Sequence, residues 1–187
     1  MDSTMMAERI LAVARDILHG DSNRTAGKYT FKGRLVIDRE PDSEWGCLLV
    51  DDRIRSRCFE MLGLEKLGFT LPDYEPHVSA FCKEEVQGLD NPLPQEGMEC
   101  KFTLKHLKVV NPEDWDEVNS CVILCVECEP LERLRERLGL TPLMYGKHEF
   151  HVTIGVAEKG IDPSTENLVR LFNEYLKRDL GLLLAAV

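Results

Sequence analysis

A chain of 187 residues with 43% apolar and 30% charged side chains has the composition of one soluble domain, or of two small lobes sharing a core; disordered and fibrous classes are excluded. At this length roughly 70% of the unfolded surface is buried on folding, so no metal or disulfide is needed to hold the fold. Lys and Arg number 23 against 33 Asp and Glu, a net charge of -10, which disfavours gripping duplex nucleic acid by its phosphates but leaves room for a small anion in a local basic pocket.

Met1-Asp2-Ser3-Thr4 opens the chain without the charged and apolar regions of a secretory leader, and seven cysteines is an odd number. Reduced thiols and a cytoplasmic location are expected. Met6, Ile10, Val13, Ile17 and Leu18 recur at helical spacing until Gly20, predicting a helix over about 5–19. Residues 20–33 read as a polar loop or edge segment, Leu35-Val36-Ile37 as a short strand, and 38–44 as a charged turn around Pro41.

Two similar units follow. In the first, the strand Gly46–Val50 leads to a helix opened by Asp51-Asp52, with Ile54, Cys58, Met61 and Leu62 on one face. That helix stops at Leu62-Gly63-Leu64, and the strand Pro76–Phe81 comes after a loop. In the second, the strand Cys121–Val126 leads to a helix with Pro130 in its first turn and Leu131, Leu134 and Leu138 on one face. It stops at Leu138-Gly139-Leu140, and the strand Phe150–Gly155 comes after a loop. Cys47 precedes His77 by the same interval as Cys121 precedes His151, and the helix ends are out of phase by two residues, which makes this a structural rather than gap-free repeat. Between the units, 83–98 reads as a Pro-rich surface connection and 99–110 as a long alternating strand. Asp162-Pro163-Ser164 starts a final helix with Leu168, Leu171, Phe172, Tyr175 and Leu176 inward. The apolar run Leu180–Val187 is too short to span a bilayer, and no membrane partner is expected. The class is α+β, two related halves with helices packed on sheets.

Both units end in His, apolar, hydroxyl, apolar: His77-Val78-Ser79-Ala80 and His151-Val152-Thr153-Ile154. Alternation along a strand puts His77 with Ser79, and His151 with Thr153, on one face, with Val78 and Val152 turned into packing. Chance produces roughly 0.07 such apolar-flanked patterns in this composition, against two present. A histidine at a strand end that merely satisfies a carbonyl is the bland alternative; the shared spacing and the hydroxyl partner argue against it. Two imidazoles titrating near neutrality supply one base and one acid, and the hydroxyls of Ser79 and Thr153 can donate to non-bridging phosphate oxygens. Which histidine is the base is not legible.

The pairing resembles the 2H phosphoesterase superfamily, over about 45–157. The resemblance implies a duplicated, bilobal fold: two antiparallel-rich sheets facing a central cleft, helices outside, lobe one over about 34–82 and lobe two over about 99–157 of a single domain. It implies metal-independent cleavage of cyclic phosphates or phosphodiesters with no cofactor, and a small cyclic nucleotide or an RNA terminus as substrate. Within the superfamily the short two-motif layout is similar to the phage nucleases that degrade cyclic oligonucleotide signals in anti-CBASS defence. Alternatives are RNA-end processing (2′,3′-cyclic phosphate or 2′,5′-linkage cleavage) and a nucleotide-sequestering binding protein.

Substrate-binding candidates are Lys147, four residues before His151, Trp45 at the mouth of the first strand, and Tyr145 in the second loop. Tyr29, Phe31 and Tyr74 are further loop aromatics, each more simply read as packing, and His148 lacks a hydroxyl two residues on. Cys121-x3-Cys125-x2-Cys128 has the spacing of an iron–sulfur ligand set but sits among Val, Ile and Leu in a buried strand, so it reads as core. No P-loop, dinucleotide or nucleophile-elbow motif is present.

Overall fold

The computed structural model describes residues 30–38, 45–89, 93–94, 96–112 and 118–158. The helices expected over about 5–19 and after Asp162, and the apolar run at 180–187, lie outside the described residues.

Strand β1 (Thr30–Asp38) alternates, with Gly33, Leu35 and Ile37 buried and Lys32 and Arg34 exposed. It is longer than the three apolar residues suggest, because its first half pairs with β4 from Thr30↔Thr103 to Arg34↔Glu99. Strand β2 (Trp45–Leu49) leads into helix α1 (Asp52–Leu62). Asp51 caps α1 by accepting the Arg53 backbone N–H at 2.9 Å, and left-handed Gly63 closes it. The buried face of α1 uses Ile54, Arg55, Cys58, Phe59 and Leu62; Phe59 takes the place expected for Met61. A 3-10 turn at Leu64–Leu67 precedes β3 (His77–Phe81), and a short helix α2 (Lys83–Val86) interrupts the surface connection. Strand β4 (Glu99–Val110) matches its expected span, and β5 (Val118–Glu127) outruns it. Helix α3 (Glu129–Leu138) carries Pro130 in its first turn and ends at left-handed Gly139, and β6 (His151–Glu158) completes the order.

All pairings are antiparallel, and the strands close on themselves in the order β1-β2-β3-β6-β5-β4. The expected two facing sheets are thus continuous in one large sheet. Residues read in the sequence as a loop or edge segment, Thr30–Gly33, supply the β1–β4 join, and Val78↔Val152 supplies the join between β3 and β6. Exchanging β1, β2, β3 with β4, β5, β6 reproduces the same order, with α1 and α3 in equivalent places.

Helices α1 and α3 cover one face. Val78, Ala80, Val122, Leu124, Val152 and Ile154 meet Ile54, Cys58, Leu131, Leu134 and Leu138 there in a single apolar core. The other face holds a smaller cluster of Cys121, Ile123 and Cys125. Cys128 lies in the helix-side core, so Cys121, Cys125 and Cys128 do not converge, and all seven cysteines are free thiols. No helix among the described residues is long and apolar enough to cross a membrane.

Candidate active site

The register at the β3–β6 join positions the motif side chains. With Val78 opposite Val152 in an antiparallel step, His77 and Ser79 flank the join on β3 and His151 and Thr153 flank it on β6. Both valines are fully buried toward the helices, so all four motif side chains, each half-buried, share the opposite face. Neighbouring strands continue the rows. Cys47 faces Ser79 and Cys125 faces His151, while Leu49 faces His77 and Ile123 faces Thr153.

Each motif strand then breaks register at the same place. Gly46↔Phe81 follows Cys47↔Ser79, leaving Ala80 as an extra residue, and Val122↔Gly155 follows Ile123↔Thr153, leaving Ile154. A bulge just after each hydroxyl residue twists the strand and ends the regular ladder beside the four polar side chains. Gly46 is required there, since a methyl group would overlap the Phe81 ring.

The two histidines are held alike. His77 Nδ1 lies 2.8 Å from the Glu75 carbonyl and His151 Nδ1 lies 2.8 Å from the Glu149 carbonyl. A carbonyl only accepts, so Nδ1 carries the proton in both rings, and each Nε2 is left to accept a proton when neutral or to donate one when charged. Burial pushes the His151 imidazole below its ordinary value. The charges of His148 and His77 push the same way, and the Glu149 carbonyl opposes them. His77 sits among aromatics: the Trp45 ring is 4.9 Å away and perpendicular, the Tyr74 ring 5.3 Å away and tilted.

Of the substrate-binding candidates, Trp45 is therefore in contact with the motif. Tyr145 is not placed against either motif histidine. Its ring packs edge-on to His148 at 6.1 Å, its hydroxyl lies 2.8 Å from Cys82 Sγ, and its backbone N–H donates to Glu85 Oε1 at 2.8 Å. The Tyr145 backbone has φ of 49°, unusual for a bulky residue. Lys147 is exposed on the same loop, with no ion pair among the described residues. Tyr74, read from the sequence as a packing aromatic, instead lies against the motif, its ring 5.3 Å from that of His77. Burial raises its phenol above the usual value. Its one sequence signal is an aromatic three positions ahead of a motif histidine.

The approach loops are clamped by buried arginines that the helical pattern gives no reason to place inward. Arg55 of α1 donates to the carbonyls of Pro72 and Tyr74 and to Asp52. Arg135 of α3, fully buried, donates to the carbonyls of Thr141 (2.8 Å), Leu143 (3.0 Å) and Ala80 (2.6 Å), and pairs with Glu85 at 2.6 Å. In both halves a helix arginine thus fixes the loop that delivers the motif histidine, and Arg135 also ties that loop to the end of β3.

The family model described as Swiss Army Knife, 2H phosphoesterase domain, matches residues 47–161, more than half of the chain. No curated protein and no solved structure matches.

Proposed function

Because the chain belongs to the 2H phosphoesterase domain family, and is a phosphoesterase on that ground, we propose that it is a metal-independent phosphodiesterase acting on small cyclic nucleotides or cyclic oligonucleotides, including the signals degraded in anti-CBASS defence. One observation carries the reading. Two imidazoles, each with Nδ1 on a carbonyl, share a sheet face with two hydroxyls.

In the proposed reaction His151 is the base and His77 the acid. Burial favours the neutral form of His151, which leaves the donor's part to His77, whose ring packs against Trp45 and Tyr74. His151 Nε2 removes a proton from water, or from a neighbouring ribose 2′-hydroxyl, as its oxygen attacks phosphorus. The bond from phosphorus to the leaving oxygen breaks, and His77 Nε2 protonates that oxygen. Ser79 and Thr153 donate hydrogen bonds to the non-bridging oxygens, where charge gathers in the transition state. Trp45 and Tyr74 offer faces on which a base can stack.

The acidic chain favours a compact substrate over long RNA. A second reading, RNA-end processing, draws on the cations of β1 and β4: Lys32 lies opposite Lys101, and Lys105 and Lys108 follow further along β4. Glu99 and Glu149 already pair with Lys32, Lys105 and Lys108, which weakens that reading. Turnover in EDTA of cyclic di- and trinucleotides, 2′,3′-cyclic mononucleotides and RNA with a 2′,3′-cyclic end tests both, with His77→Ala and His151→Ala as controls. Loss of cleavage in either variant supports the two-histidine reaction, and the preferred substrate chooses between the readings. Tight binding with no turnover of any member leaves a sequestering protein instead.

A further inference from the structure

The same sheet face carries a second group of reactive side chains beside His151. His106 of β4, Cys125 of β5 and Glu149, just ahead of β6, place an imidazole nitrogen, a thiol sulfur and a carboxylate oxygen all within 4.8 Å of one another. The register builds this arrangement, since His106 faces Cys125 and Cys125 faces His151. His106 Nε2 is 3.5 Å from Glu149 Oε2, and both side chains are about one-third exposed, which leaves a path inward to the buried thiol.

We propose that His106, Cys125 and Glu149 form a site for a thiophilic divalent cation of the zinc type, whose occupancy slows turnover. Mixed nitrogen, sulfur and oxygen donors suit such an ion, and bond lengths of about 2.0–2.3 Å place tetrahedral ligand atoms roughly 3.5 Å apart. The His106–Glu149 spacing already meets that, and side-chain rotation closes the rest. Magnesium and calcium, which take oxygen shells, are disfavoured by the thiol. On binding, the Cys125 S–H bond breaks, a sulfur–metal bond forms, and the proton leaves to solvent. Three protein ligands leave a fourth position for water.

Two lysines oppose the ion and set its character. Lys105 holds the other carboxylate oxygen, Glu149 Oε1, at 2.8 Å, and Lys108 lies 3.8 Å from Oε2 on a mostly exposed side chain that is free to turn outward. Their charge makes the site reversible, filling when free metal rises. The link to turnover runs through the backbone: the Glu149 carbonyl holds His151 Nδ1, so a metal that draws Glu149 toward Cys125 disturbs the ring. This second step rests on the phosphodiesterase reading; the binding step does not.

The test is titration of cobalt(II), then zinc(II), into the metal-stripped full chain. One equivalent of cobalt is expected to give a sulfur-to-cobalt charge-transfer band, absent in Cys125→Ala and displaced by zinc. His106→Gln, at a partly exposed position that leaves the core intact, is expected to weaken binding by at least about tenfold. Absence of the band, or its persistence in Cys125→Ala, overturns the site. If a substrate is cleaved, saturating zinc should slow the wild type about tenfold and His106→Gln less than about twofold. Stoichiometric zinc with unchanged turnover overturns the link to His151. If no substrate is cleaved, the cobalt spectrum still decides the site.

Discussion

Each motif histidine spends one ring nitrogen on a carbonyl two residues upstream and keeps the other for chemistry. Replacing either by alanine is expected to lower kcat by about 10²–10⁴-fold, the usual worth of a positioned acid or base. Ser79→Ala and Thr153→Ala should each cost about 10²-fold, with the fold unchanged by circular dichroism. The pH profile separates the two histidines. A base must be neutral to act, and burial holds His151 below its ordinary value. The acid limb of kcat/KM should therefore fall away at a pH below about 6.5, and that limb should vanish in whatever activity His151→Ala retains. Tyr74→Ala removes the ring that packs against His77 and should reduce kcat by about 3–10-fold, whereas Tyr74→Phe, which keeps it, should change kcat less than about twofold.

Helices α1 and α3 do more than cover the sheet, because Arg55 and Arg135 reach from them to the loops ahead of the motif strands. Glu85→Ala leaves the Arg135 guanidinium buried without its counter-charge and should cost about 3 kcal/mol in urea unfolding. Burial alone would raise the Glu85 carboxyl, but Arg135 and the Tyr145 N–H outweigh it and hold it below the usual range. A depressed carboxyl contributes its stability above the unfolded value, near 4.3, and loses it as pH falls through the lower folded value. The gap between urea midpoints at pH 7 and pH 3 should accordingly narrow in Glu85→Gln. At this scale much was legible. The helix stops at Gly63 and Gly139, the inward faces of Leu131, Leu134 and Leu138, and the span of β4 all follow from spacing and turn chemistry. The first half of β1 was not, since Thr30–Gly33 becomes strand only through its distant partner on β4. The site divides similarly. Four side chains come from local alternation, whereas Tyr74 and the two arginines owe their places to tertiary contacts that no periodicity encodes.

Across the whole molecule the ring is unevenly sealed. β4–β5 and β5–β6 pair along most of their length, while β3 and β6 meet at Val78↔Val152, directly beneath the candidate site. Amides of β3 should exchange with solvent at least about tenfold faster than those of β5, with a bound nucleotide slowing them; hydrogen-exchange mass spectrometry reads both. The ring also has a consequence for how the chain can be divided. A sheet edge left bare is a template for joining another chain, and here each half covers the edges of the other, β1 against β4 and β3 against β6. Residues 30–89 expressed alone would bare β1 and β3 together, so such a fragment should self-associate or precipitate, and adding 96–158 should return it to solution as a stoichiometric pair.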